Sequence, residues 1–185
     1  MKKIITDLLL RASAFINGRE TEKHAPMTKE PNNTQARKTV AVAVKKLHED
    51  AVIPKYAKPD DAGFDLVAVE DVEIKAGETV LIPTGLAFGI PSGYEIQVRP
   101  RSGLSLKTKF RIPNSPATID AGYIGELCII AENTGEHTFS VSKGDRIAQG
   151  IIKEVPKADF FEVDELEATE RGAGGFGSTG VNSDA

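Results

Sequence analysis

TVLIPTGLAFGI at residues 79–90, closed by PSG at 91–93 and followed by YEIQVRP at 94–100, decides the fold class of this chain. Apolar and β-branched residues crowd the first run, polar and apolar residues alternate in the second, and a Pro-Ser-Gly turn separates them. That is the grammar of two strands with a short connection. It recurs on both sides, in TVAVAVKKL (39–47), FDLVAVEDVEI (64–74), ELCIIAEN (126–133), HTFSVS (137–142) and RIAQGIIKEV (146–155). KAGE (75–78), NTGE (133–136) and SKGD (142–145) supply further turns. Short strands at short intervals predict an all-β sandwich or barrel, and nothing in the pattern demands a central helix. No Gly-rich phosphate loop opens a helix, so a Rossmann or P-loop nucleotide site is not supported.

The chain has 185 residues, 40% of them hydrophobic, which suits one compact domain with its own core. Its formal net charge of -4 argues against general or stable nucleic-acid binding but leaves room for a local basic site. The only cysteine, Cys128, sits in the apolar run LCII and reads as a buried small apolar side chain. A disulfide framework and a thiolate metal cluster are thereby excluded. His24, His48 and His137 are scattered singly, without the spacing of a zinc site or of a His-based triad. No run reaches the roughly 18 apolar residues of a membrane span. These features fit a soluble, cytoplasmic protein.

The organisation falls into three parts. In residues 1–38, Ile4, Leu8, Ala12 and Phe15, with Ile5, Leu9 and Ile16 alongside, recur at helical spacing, and Gly18 to Lys38 reads as a polar linker. Asp7 and Arg11 interrupt any secretory apolar region. Residues 39–157 carry the strands. Residues 158–185 form an arm that contains RGAGGFGSTG (171–180), with five glycines in ten residues. That composition builds no core, yet it lets backbone approach a ligand closely. Arg171 can pair with phosphate, Phe176 can stack on a base, and Gly177, Ser178 and Thr179 can offer amides and hydroxyls to phosphate oxygens. Read alone, the same stretch is a frayed terminus.

Four internal clusters lie at strand ends and turns, where function usually lives. DAGFDL (61–66) contains Asp65, by itself an ordinary turn carboxylate. RPRSGLSLK (99–107) places Arg101, Ser102 and Gly103 together, as a solvated basic turn or as a fork, a hydroxyl and an amide for a phosphate oxygen. NSPATIDAGYIGE (114–126) opens with a turn at Asn114 and Pro116. Asp120 follows the β-branched pair Thr118 and Ile119, so a strand end can fix a carboxylate able to accept a proton from water. Tyr123 can form the flat floor of a sugar site, or can be a core tyrosine, with Gly125 relieving the crowding beside it. GDRIAQG (144–150) places Gln149 at the end of an apolar strand, as a surface amide or a bridge between ligand oxygens and water.

These four clusters and the arm, in this order, resemble the five motifs of the trimeric dUTPase family. The resemblance covers nearly all of residues 39–180 and implies a jelly-roll homotrimer with three active sites, each assembled from more than one subunit. It implies hydrolysis of dUTP at the α-phosphorus to dUMP and pyrophosphate, with Mg²⁺ carried by the triphosphate. That activity limits uracil incorporation into DNA and supplies dUMP for thymidylate synthesis. By matched motif position, Asp120 would be the base for the attacking water, and Tyr123 would pack under the deoxyribose. Asn114 and the nearby hairpin backbone, with Thr118, would read the uracil edge. Arg101, Ser102, Gly103 and Gln149 would hold the phosphates, with Asp65 near the metal's water shell. Phe176 would lie over uracil, while Arg171, Gly177, Ser178 and Thr179 close on the phosphates.

Gly122 and Gly150 depart from the residues usual in that family, an aspartate and a larger apolar side chain. The leader has no counterpart in the minimal family domain. Two other functions share the fold: dCTP deamination, and nucleotide-gated regulation without turnover. The deaminase needs a carboxylate where this chain has Ile130, and an apolar side chain cannot transfer that proton.

Overall fold

The computed structural model describes residues 38–175, and among them the strand grammar becomes ten strands and one short helix. The strands are β1 (Ala43–Lys46), β2 (Phe64–Val67), β3 (Val72–Ile74), β4 (Thr79–Gly89) and β5 (Tyr94–Arg99), then β6 (Phe110–Arg111), β7 (Ala117–Asp120), β8 (Glu126–Asn133), β9 (Phe139–Val141) and β10 (Arg146–Glu154). Helix α1 (Ser102–Lys107) lies between β5 and β6. The expected helix at Ile4–Ile16 and the linker before Lys38 fall outside the described residues, as do Phe176, Gly177, Ser178 and Thr179.

Every ladder is antiparallel. One sheet runs β1-β4-β8-β6, the second β2-β10-β5-β7, and β3 pairs with β9 in a two-stranded ribbon. The reason is the alternation of side chains. Along β8, half-buried and buried residues alternate without a break, so Leu127, Ile129 and Ala131 face inward. They meet Ile82, Leu86 and Phe88 of their own sheet, Leu66, Ile96, Val98 and Ala148 of the second, and Ile74 and Val141 of the ribbon, in one core. Each fully buried aliphatic side chain contributes about 1.5–3 kcal/mol. The turn glycines Gly77, Gly93 and Gly144 take φ of 73°, 84° and 91°, which is why KAGE, IPSG and SKGD punctuate the strands.

Three details differ from the sequence reading. The stretch after Arg101 forms a six-residue helix with no buried residue, too short and too solvated to show helical periodicity. Only Ala43–Lys46 of TVAVAVKKL is strand. Cys128 is half-buried rather than in the core, since it alternates outward between Leu127 and Ile129. The departure at Gly150 has a packing cause: a Cβ there would overlap the ring of Phe64, its partner across the β2–β10 ladder. That ring stands edge-on to Tyr56, with centroids 6.0 Å apart.

The register of β4 against β8 breaks between Pro83 and Ala87. Proline donates no backbone hydrogen bond, so a ladder cannot run through it unbroken. At the break Gly85 takes φ 65°, and a Cβ on it would lie 2.7 Å from His48 Cβ and 2.9 Å from Ala51 Cβ. The bulge finds partners elsewhere: Leu47 N–H donates to Gly85 O at 2.8 Å, and Val69 N–H to Pro83 O at 3.2 Å. Buried Thr84 donates through Oγ1 to Leu127 O at 2.6 Å. Gly85→Ala combines a left-handed backbone with overpacking, so we expect a loss of about 2 kcal/mol or more, read as a lower midpoint in chemical denaturation. An unchanged midpoint would mean that the turn at His48–Ala51 is free to move away.

Candidate functional site: two clefts on one sheet

The first cleft, ≈ 350 Å³, is walled by β7, β8 and the turn joining them. Asn114, Thr118, Asp120 and Tyr123 line it together. Asp120 is the last residue of β7 and is exposed, and its carbonyl accepts from Tyr123 N–H at 3.0 Å. Tyr123 is 47% exposed, and its hydroxyl donates to Glu126 O at 2.9 Å. A Cβ on Gly125 would lie 2.6 Å from that hydroxyl oxygen, so the glycine makes the slot in which the ring rests. Cys128 and Ile130 complete the wall. Burial first, then the carboxylates of Glu126 and Glu70, pushes the Cys128 thiol up and keeps it protonated at neutral pH.

The second cleft, ≈ 640 Å³, gathers Asp65, Arg101, Ser102, Gly103 and Gln149, with Lys107 and Arg146. Asp65 is held between two guanidinium groups: Arg101 Nε lies 2.8 Å from Oδ1 and Arg146 Nη1 3.0 Å from Oδ2. Arg101 Nη1 also donates to Arg146 O at 2.9 Å, tying the two arginines into one unit. Gln149 Nε2 donates to Pro100 O at 2.9 Å, while a Cβ on Gly63 would come within 2.7 Å of Gln149 Oε1. Gly63 therefore clears the space that the amide occupies. Ser102 and Gly103 open α1, where backbone N–H groups lack intrahelical acceptors. Guanidinium forks, a hydroxyl and free backbone N–H groups are the donors that an anion with several oxygens can use. A metal held by protein groups alone does not fit, because both Asp65 oxygens are engaged and the described residues contain no cluster of three His, Cys, Asp or Glu side chains able to hold one.

The two clefts share no residue, although Asp65, Gln149 and Asp120 all belong to the second sheet. Its rows pair Asp65 with Gln149 and Gln149 with Arg99 near one end, and Lys153 with Glu95 and Glu95 with Asp120 near the other. Arg99 and Glu95 are four residues apart on β5, so the rows lie about 13 Å apart along the strands. Gln97 bridges them by accepting from Arg99 and donating to Glu95. Arg99 Nε is buried without a partner among the described residues. Arg171 lies in neither cleft; it is exposed, and its Nε donates to Gly174 O at 3.1 Å in a local turn.

A family model of the dUTPases matches residues 49–180. The chain belongs to the dUTPase family. A deoxyuridine 5'-triphosphate nucleotidohydrolase of Gloeothece citriformis is 50% identical over 141 residues, 76% of this chain and 97% of the relative. Among solved structures, a variant dUTPase of Staphylococcus bacteriophage 80alpha with dUpNHpp superposes with a TM-score of 0.73 at 32% identity, covering 77% of this chain and all of that one. A variant dUTPase from phage phi11 of S. aureus, described for its coordination of a structural Mg(II) ion, gives a TM-score of 0.65 at 28% identity over 69% of this chain and 99% of that one.

Two residues of this dUTPase escaped the motif reading. Arg146 sits inside GDRIAQG, but only the fold shows that its guanidinium crosses to Asp65 on β2. Glu126 closes the third cluster, and only the bulge in β4 shows what its carboxylate does: Oε1 accepts Gly85 N–H at 2.7 Å. If Arg146 serves the anion cleft, Arg146→Ala should weaken binding of inorganic pyrophosphate about tenfold, the loss of one charge-assisted hydrogen bond. Calorimetric titration reads this directly, and an unchanged Kd would remove Arg146 from the site.

Proposed function

We propose that the chain hydrolyses dUTP to dUMP and pyrophosphate in a homotrimer whose active sites each draw on more than one copy. The observation that carries this reading is the split between the clefts. One has a carboxylate beside a flat aromatic floor, the other has paired arginines, and a single chain holds them on separate rows of one sheet. A base on one row cannot activate water at a phosphorus held on the other unless a neighbouring copy brings the complementary cleft to it. Phe160, Phe161 and Leu166 of the arm are 91%, 82% and 88% exposed in the single chain, which favours their being covered on assembly.

In this site Asn114 and the adjoining hairpin backbone, with Thr118, read the uracil edge, where a fixed donor and acceptor pattern rejects cytosine by leaving polar groups unpaired. Tyr123 lies beneath the sugar and excludes a 2′-hydroxyl. Asp120 orients the water and takes its proton as the oxygen attacks the α-phosphorus. Arg101, Arg146, Ser102, Gly103 and Gln149, from a second copy, hold the departing pyrophosphate in line and neutralise its growing charge. Mg²⁺ bound on the triphosphate would supply further charge neutralisation. Asp65 keeps the two arginines aimed until phosphate oxygens compete for them, and its carboxylate would then be available to the water shell of that metal. Arg171, Phe176, Gly177, Ser178 and Thr179 close over the nucleotide and exclude bulk water. Ile130 is apolar at the position where the deaminase needs its carboxylate, and it cannot transfer that proton.

The test is pyrophosphate release from dUTP, dCTP, dTTP and UTP side by side with Mg²⁺, together with ammonia release from dCTP. Pyrophosphate from dUTP alone is expected; ammonia from dCTP would overturn the reading. Asp120→Asn should lower kcat at least about a hundredfold with dUTP binding retained, the loss of a general base. Full turnover in that variant would remove Asp120 from the role. Co-assembly tests the shared site: Asp120→Asn and Gln149→Ala chains, each poor alone, should recover activity when refolded together, since hybrid trimers contain intact pairings of Asp120 with Gln149. No recovery despite proven hybrids would place both groups in one chain's site.

A further inference from the structure

We infer that Glu126 is a positioning residue for Tyr123, and that through it the β4 bulge sets how strongly the site prefers 2′-deoxyribose to ribose. The inference rests on the nucleotide reading above. Tyr123 is not held by a surrounding core. Its ring lies in the slot over Gly125, and its hydroxyl donates to Glu126 O at 2.9 Å, so the peptide between residues 126 and 127 fixes where the ring stands.

That peptide sits at an interruption. Glu126 is opposite Ala87, and regular pairing resumes only at Cys128 opposite Pro83. In the gap two side-chain bonds join the strands: Thr84 Oγ1 to Leu127 O at 2.6 Å, and Gly85 N–H to Glu126 Oε1 at 2.7 Å. The first belongs to the core, since Thr84 is fully buried. The second belongs to the cleft, because Glu126 is half-buried and lines it beside Asp120 and Tyr123.

A second carboxylate beside Asp120, on the wall of the cleft that takes the nucleoside end of a polyanion, is an electrostatic liability unless it has another task. Here it accepts the N–H of a buried glycine that the broken ladder leaves without a strand partner. Glutamine can make the same bond and alanine cannot. Loss of the bond frees the start of β8 to shift against β4, and the ring moves with it. The effect falls on the sugar, which touches the ring, and spares the water at Asp120.

The experiment compares Glu126→Gln, Glu126→Ala and Tyr123→Phe with the wild type, measuring kcat and KM for dUTP and UTP and the melting temperature. Glu126→Gln is expected within about twofold of wild type throughout. Glu126→Ala is expected to raise KM for dUTP and to lower the dUTP-over-UTP ratio of kcat/KM, each about tenfold, with kcat little changed. Tyr123→Phe, which leaves the carboxylate and the bulge intact, should lower the same ratio. A merely structural Glu126 would lower the melting temperature and leave KM and the ratio alone, which overturns the inference. So does equal loss in the Gln and Ala variants. Should Glu126→Ala not fold, an undiminished ratio in Tyr123→Phe overturns it alone. A wild type without dUTP turnover fails at the functional reading instead, and the two failures are distinguishable.

Discussion

A proline in the middle of the longest strand sets the constraint on which the rest of this structure depends. β4 belongs to the first sheet along its whole length, yet Pro83 cannot donate to the ladder, and the strand leaves its register until Ala87. The backbone groups released there would be costly if left buried and unpaired. Each finds a partner in a different segment: the turn before Ala51, the end of β2, the start of β8. One break thus ties β4 to the residue after β1, to the segment after β2 in the other sheet and to the start of β8. Gly85 is required because the bulge turns left-handed against two Cβ atoms. The cleft of Asp120 and Tyr123 is built on one of those fastenings.

The second sheet does a different job. Its inner face is apolar and contributes to the core, while its outer face carries the rows that end in Asp65 and Gln149 at one side and Asp120 at the other. Strand pairing places these groups with the precision of a ladder rather than of a loop. The arginines come from beside the sheet, Arg101 where α1 begins and Arg146 where β10 begins, and Asp65 draws both together. A carboxylate between two guanidinium groups keeps strong cations aimed without letting them repel each other.

Much of this was legible in the sequence, and the reasons are local. Turns at Gly77, Gly93 and Gly144 announce themselves because a left-handed residue there favours glycine, and the strands between them show their inner faces by alternation. Asp120 and Tyr123 could be placed together because four residues of one hairpin span the distance. What escaped is non-local. Nothing near position 146 says that its side chain meets Asp65, 81 residues away, and nothing near 126 says that its carboxylate caps a bulge 41 residues earlier. α1 escaped because it buries nothing, and Cys128 was misplaced because an unbroken apolar run hides which residues face out.

The separation of the clefts has a consequence for how activity depends on assembly. A single chain already holds the Asp120 carboxylate, the Tyr123 ring, the paired arginines and the Gln149 amide, the last three with polar contacts of their own. It lacks only their juxtaposition, because about 13 Å of strand keeps the row of Asp120 from that of Gln149. Binding and chemistry therefore have different requirements. On the proposed shared site, an aligned water, a fixed phosphorus and a neutralised leaving group coincide only where two copies meet. On that reading hydrolysis is a property of the assembly, and the contacts that bring the copies together would act on kcat as directly as any side chain that touches the substrate.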